Sequence, residues 1–260
     1  MFTSIAMMQP YLFPYLGYFQ LIAAADVFVL GDDLQYIKSG WVNRNNVLVG
    51  GQARLLTFPL KRDSFELAIN QRETSDNFAD EAQRLLNVIR SNYAKAPCFA
   101  QVMPMVEALV LHPERNLALY IEHNLKQLCS YLGIHTPFFR ASDLTLPAPL
   151  DKQDRVIRTA RQFGARRCIN SMGGTSLYDP RHFAEHGLEL KFLAMDDDIS
   201  YRQFKHPFVG NLSIIDVMMF NDAEALAALL QRYSLHTVET PVQPAVLQER
   251  RRTPRAVNHA

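Results

Sequence analysis

Cysteine is scarce in this chain and poorly placed for cross-linking. Cys98, Cys129 and Cys168 are three among 260 residues, an odd and widely spaced set without a Cys-x-x-Cys pair. That argues against a disulfide framework and against a zinc site, and a reducing cytoplasm is the expected compartment. Charge of one sign is lacking too. With a formal net charge of +1, no global footprint points to nucleic acid or to an anionic membrane. No apolar run is long enough for a membrane span, and the first residues lack a basic n-region, since Gln9 and Pro10 interrupt early. Tryptophan occurs once, as Trp41. Apolar residues, by contrast, are abundant: 48% of the chain is hydrophobic, enough for a large core at the upper end of single-domain size.

The most informative stretch is Met7 to Gln20. Ser4-Ile5-Ala6-Met7-Met8 reads as a short buried strand that stops at Gln9-Pro10, because proline offers no N–H and holds its predecessor extended. Pro14 stiffens the loop again. From Leu16 to Ala25 the apolar residues fall at helical spacing. A loop between a strand's carboxyl end and a helix N-terminus is where α/β sheets hold ligands. Gln9, Tyr11, Tyr15, Gly17 and Tyr18 are therefore candidate site residues, with Gly17 expected to admit a ligand to the first helical turn. The competing reading makes the aromatic side chains a staple closing one end of the sheet.

Asp26 to Asp33 reads as a second buried strand ending in Asp32 and Asp33. Two adjacent carboxylates there suit orienting a hydroxyl or amine, holding a divalent cation or acting as a general base, or else they are solvated strand-end acids. Gln35, Trp41, Asn43, Arg44 and Asn45 concentrate hydrogen-bonding groups beside an indole. They read as a pocket rim for a carboxylate, phosphate or sugar, or as a polar turn. Val47-Leu48-Val49, Gly50-Gly51 and Leu55 to Leu60 read as a β-hairpin. Helices are expected at 80–93, 104–111 and 116–132, then a strand at 136–140, a helix at 151–163 and a brief strand at 168–170. The loop Ser171-Met172-Gly173-Gly174 to Tyr178 follows, its paired glycines suited to an anion nest. Ser171, Gly173, Gly174 and Tyr178 are candidate ligand contacts. A helix opens at Asp179-Pro180, a strand runs 188–195, and Asp196-Asp197-Asp198 reads as a solvated turn. Ser213 to Asp216 has an S-x-x-D capping pattern, and a last helix is expected from Asp222 to Tyr233. The expected organisation is one Rossmann-like α/β domain over 1–235, with a mainly parallel sheet, flanking helices, a β-hairpin and a helical insertion at about 78–132. A disordered tail is expected at 236–260.

Gln9-Pro10-Tyr11-Leu12-Phe13-Pro14-Tyr15-Leu16-Gly17-Tyr18-Phe19, Asp32-Asp33-Leu34-Gln35-Tyr36, Trp41-Val42-Asn43-Arg44-Asn45, Tyr93-Ala94-Lys95-Ala96-Pro97, Gly173-Gly174-Thr175-Ser176-Leu177-Tyr178 and Leu212-Ser213-Ile214-Ile215-Asp216 together resemble the WbqC-like family over roughly positions 3–222. That resemblance implies a cytoplasmic transferase of O-antigen or other surface-polysaccharide biosynthesis that moves a glycine or other acyl group onto an amino group. It implies a small substrate such as an amino sugar or amino-acid derivative, and a carrier-protein thioester or a nucleotide as donor. No metal and no nucleic acid enter this reading. Within it Asp32, Asp33, Tyr15 and Tyr18 are the catalytic candidates. Tyr15-Leu16-Gly17-Tyr18 also resembles the H-x-G-H motif of the HIGH-superfamily nucleotidyltransferases, with both histidines replaced by tyrosine. A tyrosine donates a hydrogen bond but brings no positive charge near neutral pH.

Overall fold

Short apolar runs become the interior strands of one sheet. In the computed structural model, which describes residues 2–146 and 150–237, β1 (Ser4–Met8) lies between two parallel neighbours. One is β2 (Val27–Leu30). The chain then leaves the sheet for a separate antiparallel hairpin, β3 (Arg44–Val49) and β4 (Gln52–Thr57). It returns as β5 (Phe138–Arg140), β6 (Arg167–Ser171), β7 (Glu189–Met195) and β8 (Tyr233–His236). The six-stranded order is β5-β2-β1-β6-β7-β8, parallel except for β8 at the edge.

Both faces of the sheet are buried, which is why β1 and β2 are apolar without alternation. Ala6, Phe28 and Leu30 face one core, and Ile5, Met7, Val27 and Val29 face the other. The larger core packs α1 (Leu16–Ala24), α2 (Phe78–Tyr93), α3 (Phe99–Val110), α4 (Leu117–Tyr131), α7 (Ile214–Phe220) and α8 (Ala223–Leu230). The smaller packs α5 (Lys152–Gln162) and α6 (Pro180–Glu185).

Three local expectations change. The third expected helix starts at Phe99 and carries Pro104 inside it. The last helix stops at Leu230, and Tyr233 opens an edge strand instead. That strand takes in His236, the first residue assigned to the tail; residues 238–260 lie outside those described.

From β1 the chain moves outward to β2 and β5, then crosses back to β6 and β7 on the other side. The carboxyl ends of β1 and β6 therefore flank the point where successive connections diverge, the position at which open α/β sheets take ligands.

Candidate functional site at the carboxyl edge

Because β1 and β6 are parallel and paired, the aromatic loop and the double-glycine loop leave the same edge of the sheet. The aromatic loop is fastened at several points. Leu12 N–H donates to the Val42 carbonyl at 2.9 Å, and Ile214 N–H to the Pro14 carbonyl at 2.8 Å. Phe13 sits at φ 45°, a costly conformation for a bulky residue. Its carbonyl is held there by Asn45 Nδ2 at 2.9 Å and Ser213 Oγ at 2.8 Å.

The two tyrosines of the loop separate. Tyr18 is interior, its hydroxyl donating to the Gln9 carbonyl at 2.8 Å and its ring 5.5 Å from that of Tyr11. It shapes the loop from inside. Tyr15, at the N-cap of α1, lines a pocket of about 240 Å³ with Met195, Asp197, Tyr201, Phe208 and Asn211. Burial lifts the Tyr15 phenol above its ordinary value, so it is a protonated donor near neutral pH. Gly17 admits protein rather than open space. A Cβ there would lie 2.5 Å from the Tyr15 ring and 2.6 Å from Met195 Sδ.

The acids at this pocket differ in their partners. Asp196 accepts from Arg232 Nε at 3.3 Å, and Asp198 pairs with the same guanidinium. Asp197 is exposed and meets no cation among the described residues. Behind the pocket wall lies Asp216, fully buried. It accepts from Tyr93 Oη at 2.7 Å, Tyr201 Oη at 2.7 Å and Gln203 Nε2 at 2.6 Å. Burial pushes its pKa up while the three donors pull it down, with a net upward shift. Sequence reasoning treated Asp216 as a cap partner. Ser213 does accept from Ile215 N–H, at 3.3 Å, but Asp216 turns away to the tyrosines. Tyr201, Gln203 and Asn211 were missed because the segment 196–212 has no periodicity to read.

Asp32 and Asp33 stand at the carboxyl end of β2 but are spoken for. Asp32 is buried and accepts from Ser142 N–H at 3.0 Å, Ser142 Oγ at 2.6 Å and Asn70 Nδ2 at 3.3 Å, tying β2 to the segment after β5. Asp33 pairs with Arg155 of α5. Asn43 and Asn45 are buried and satisfied: Asn43 bridges Tyr36 Oη and the Phe58 carbonyl, and Asn45 binds Phe13. Gln35 is exposed and donates to the Phe65 carbonyl at 3.1 Å. Arg44 Nε donates to the Gly40 carbonyl at 2.7 Å and its guanidinium stands 5.8 Å from the Trp41 ring.

The double-glycine loop is a 3₁₀ turn, Met172–Gly174, following Ser171. Thr175 N–H donates to the Met172 carbonyl and Leu177 N–H to that of Gly174. Neither glycine has positive φ, so the alternating backbone of an anion nest does not form. Gly174 instead makes room for its neighbours, since a Cβ would lie 3.1 Å from Asn170 Oδ1 and 3.2 Å from the Tyr178 ring. Cys168 beneath it is buried, its thiol pushed up to about 12 by burial, which leaves no thiolate for covalent chemistry. Among the described residues no group of three or more His, Cys, Asp or Glu is arranged to hold a metal, and no helix is long and apolar enough to cross a membrane.

A family model described as the WbqC-like protein family matches residues 9–228. The uncharacterized protein Rv1507c of Mycobacterium tuberculosis (strain ATCC 25618 / H37Rv) is 30% identical over 224 residues, which span 85% of this chain and 95% of that protein. No solved structure matches.

Proposed function

We propose, for a chain that belongs to the WbqC-like protein family, a small-molecule transferase of surface-polysaccharide (O-antigen) or related secondary-metabolite biosynthesis. It moves an acyl or aminoacyl group of the glycine type onto an amino group of an amino sugar or amino-acid derivative. The observation that carries this reading is the pocket against the first turn of α1. It combines a carboxylate without a cation, Asp197, with a phenol donor, Tyr15, and the rings of Tyr201 and Phe208. Such a wall suits an amine carried on a sugar ring. Of the first-turn amides of α1, which no side chain caps, that of Tyr18 already donates to the Tyr15 carbonyl; in this reading those of Leu16 and Gly17 would meet the developing negative charge of the carbonyl oxygen. With a carrier-protein thioester as donor, the neutral amine's nitrogen attacks the carbonyl carbon, its proton passes to Asp197, and the C–S bond breaks as the carrier's thiolate departs and takes a proton from solvent. With a nucleotide-activated donor the acyl C–O bond to phosphate breaks instead, and the nucleoside monophosphate leaves.

The test is mass-spectrometric. The protein is incubated with amino sugars and acyl or glycyl thioesters, and the acylated product is followed for wild type, Asp197→Asn and Tyr15→Phe. Both variants are expected to melt as wild type does and to turn over about tenfold or more slowly, the lower end of what a positioned acid–base group contributes. Full turnover in both would remove the pocket from the chemistry. The saturation of Asp32 by Ser142 and Asn70 favours one alternative, a noncatalytic sugar- or nucleotide-binding partner in a biosynthetic complex. That alternative predicts ligand-dependent melting without product.

A further inference from the structure

Four large apolar side chains stand in water on and beside the hairpin. Ile37 is 57% exposed, Phe65 56%, Trp41 46% and Leu55 42%. They form one neighbourhood. Lys38 Nζ lies 4.9 Å from the centre of the Phe65 ring, and the Arg44 guanidinium lies 5.8 Å from that of Trp41. Gly40 joins the two halves, its N–H donating to the Ile37 carbonyl and its carbonyl accepting from Arg44. Leu55 is opposite Asn46, two residues from Arg44 and on the same face of the hairpin. Exposed apolar surface gathered in this way marks an interaction surface.

The charges around it give the partner's sign. Residues 35–66 hold five basic side chains and two acidic ones, within a chain whose net charge is only +1. Lys38 and Arg44, the cations set against the rings of this face, pair with no carboxylate among the described residues. A partner covering this face must bring negative charge, or the cations would be desolvated alone. A nucleic acid would need free ring faces on which to stack bases. Here two of the four exposed side chains, Ile37 and Leu55, are aliphatic and offer no ring for a base to stack on, and one face each of Phe65 and Trp41 already carries a cation of the protein's own, a surface better matched by a protein's apolar side chains. The face also borders the carboxyl edge: residues 34–41 follow the end of β2, and the Val42 carbonyl holds Leu12 of the aromatic loop.

We propose that this face docks an acidic partner protein through an amphipathic helix that sets apolar residues against Trp41, Ile37, Phe65 and Leu55 and carboxylates against Lys38 and Arg44. That the partner delivers the donor group rests on the transferase reading; the docking itself does not.

Trp41 is the only tryptophan, so its emission reports occupancy of this face without any assay of turnover. The probes are a synthetic peptide of about four helical turns with leucines on one face and glutamates on the other, its lysine-for-glutamate counterpart, and oligouridylate. The glutamate peptide is expected to shift Trp41 emission saturably, less so at high salt, and to bind about tenfold or more weakly to Lys38→Glu and Arg44→Glu, whose circular dichroism should match wild type. Phe65→Ser, at an exposed position, should weaken binding as well and stands in if a charge reversal disturbs folding. No saturable response, an equal response to the lysine peptide, preference for oligouridylate, or undiminished binding to the variants would each overturn the proposal. Loss of transferase activity alone would not touch it.

Discussion

Asp32 and Asp33 are adjacent in sequence, yet their surroundings give them different work. Asp32 is a buried carboxylate with three donors arranged around it, from Ser142 and Asn70. An asparagine would present an amide group to at least one of those donors. Asp32→Asn is therefore expected to lower unfolding free energy by about 1–3 kcal/mol, the cost of an unmatched buried group. Asp33→Asn loses a part-buried pair in which Arg155 is 22% and Asp33 30% exposed, and with water still at the pair it should cost less, about 1 kcal/mol. Equal denaturation midpoints for the two variants would contradict this division. His182 offers a test by pH. Its Nε2 lies 2.8 Å from Asp154 Oδ1, and that hydrogen bond, with the charges of Asp154, Glu185 and Asp151, raises its pKa above the ordinary 6.5. The folded pKa exceeds the unfolded one, so the contribution is complete below 6.5 and disappears as pH rises through the folded value. Wild type should lose stability relative to His182→Gln between about pH 6 and 8, the range in which histidine titrates. Parallel stability curves would show that the pair contributes nothing.

At the scale of elements, what could be read in the sequence was whatever a local rule dictates. The two prolines framing the aromatic loop, the Asp179-Pro180 helix start and the double-glycine reversal each obey backbone sterics, and each stands where expected. The hairpin's inner end could not be read as strand because Arg44, Asn45 and Asn46 suit a pocket rim or a polar turn equally well. Asn45 binds the Phe13 carbonyl, Arg44 Nε the Gly40 carbonyl, and the backbone of all three enters the strand ladder, partners brought near only by the fold. Pro104 looked like a helix start, but α3 begins earlier and runs through it. The 196–212 segment could not be read because its order comes from distant partners. Gln203 binds Val209 through both ends of its amide and also reaches Asp216. Tyr93 is the clearest such tie, joining α2 to α7 through Asp216 and to β3 by accepting from Leu48 N–H at 2.7 Å. Tyr93→Phe removes a donor to one buried group and an acceptor from another. The expected loss is about 2–4 kcal/mol, more than a hydroxyl is worth when only one partner is stranded. A loss below 1 kcal/mol by urea denaturation would mean that water replaces the hydroxyl.

The whole molecule is asymmetric about its sheet, and the asymmetry has a consequence for how it opens. One face is covered by the hairpin and six helices, whose fully buried rings include Tyr18, Tyr93, Tyr120, Phe13 and Phe19. The other face is covered by α5 and the six-residue α6. α5 is largely polar and buries only Ile157, Thr159 and Ala160. With less apolar area holding them, these two helices can detach while the other core stays intact. The pairs that hold them, Asp33 with Arg155 and Asp154 with His182, keep between 22% and 39% of each side chain in water and add little beside that core. In native-state hydrogen exchange, amides of α5 and α6 should exchange through a partial opening of low free energy with little dependence on denaturant. Those of β1, β2 and α4 should exchange only with global unfolding. Since the pocket lined by Tyr15 and Asp197 belongs to the better-covered face, it should survive this partial opening. Pulse labelling during ligand-induced stabilisation would then slow exchange in β1 and α1 and leave α6 almost unchanged. Identical opening free energies on the two faces would mean that the sheet and both its layers form one cooperative unit.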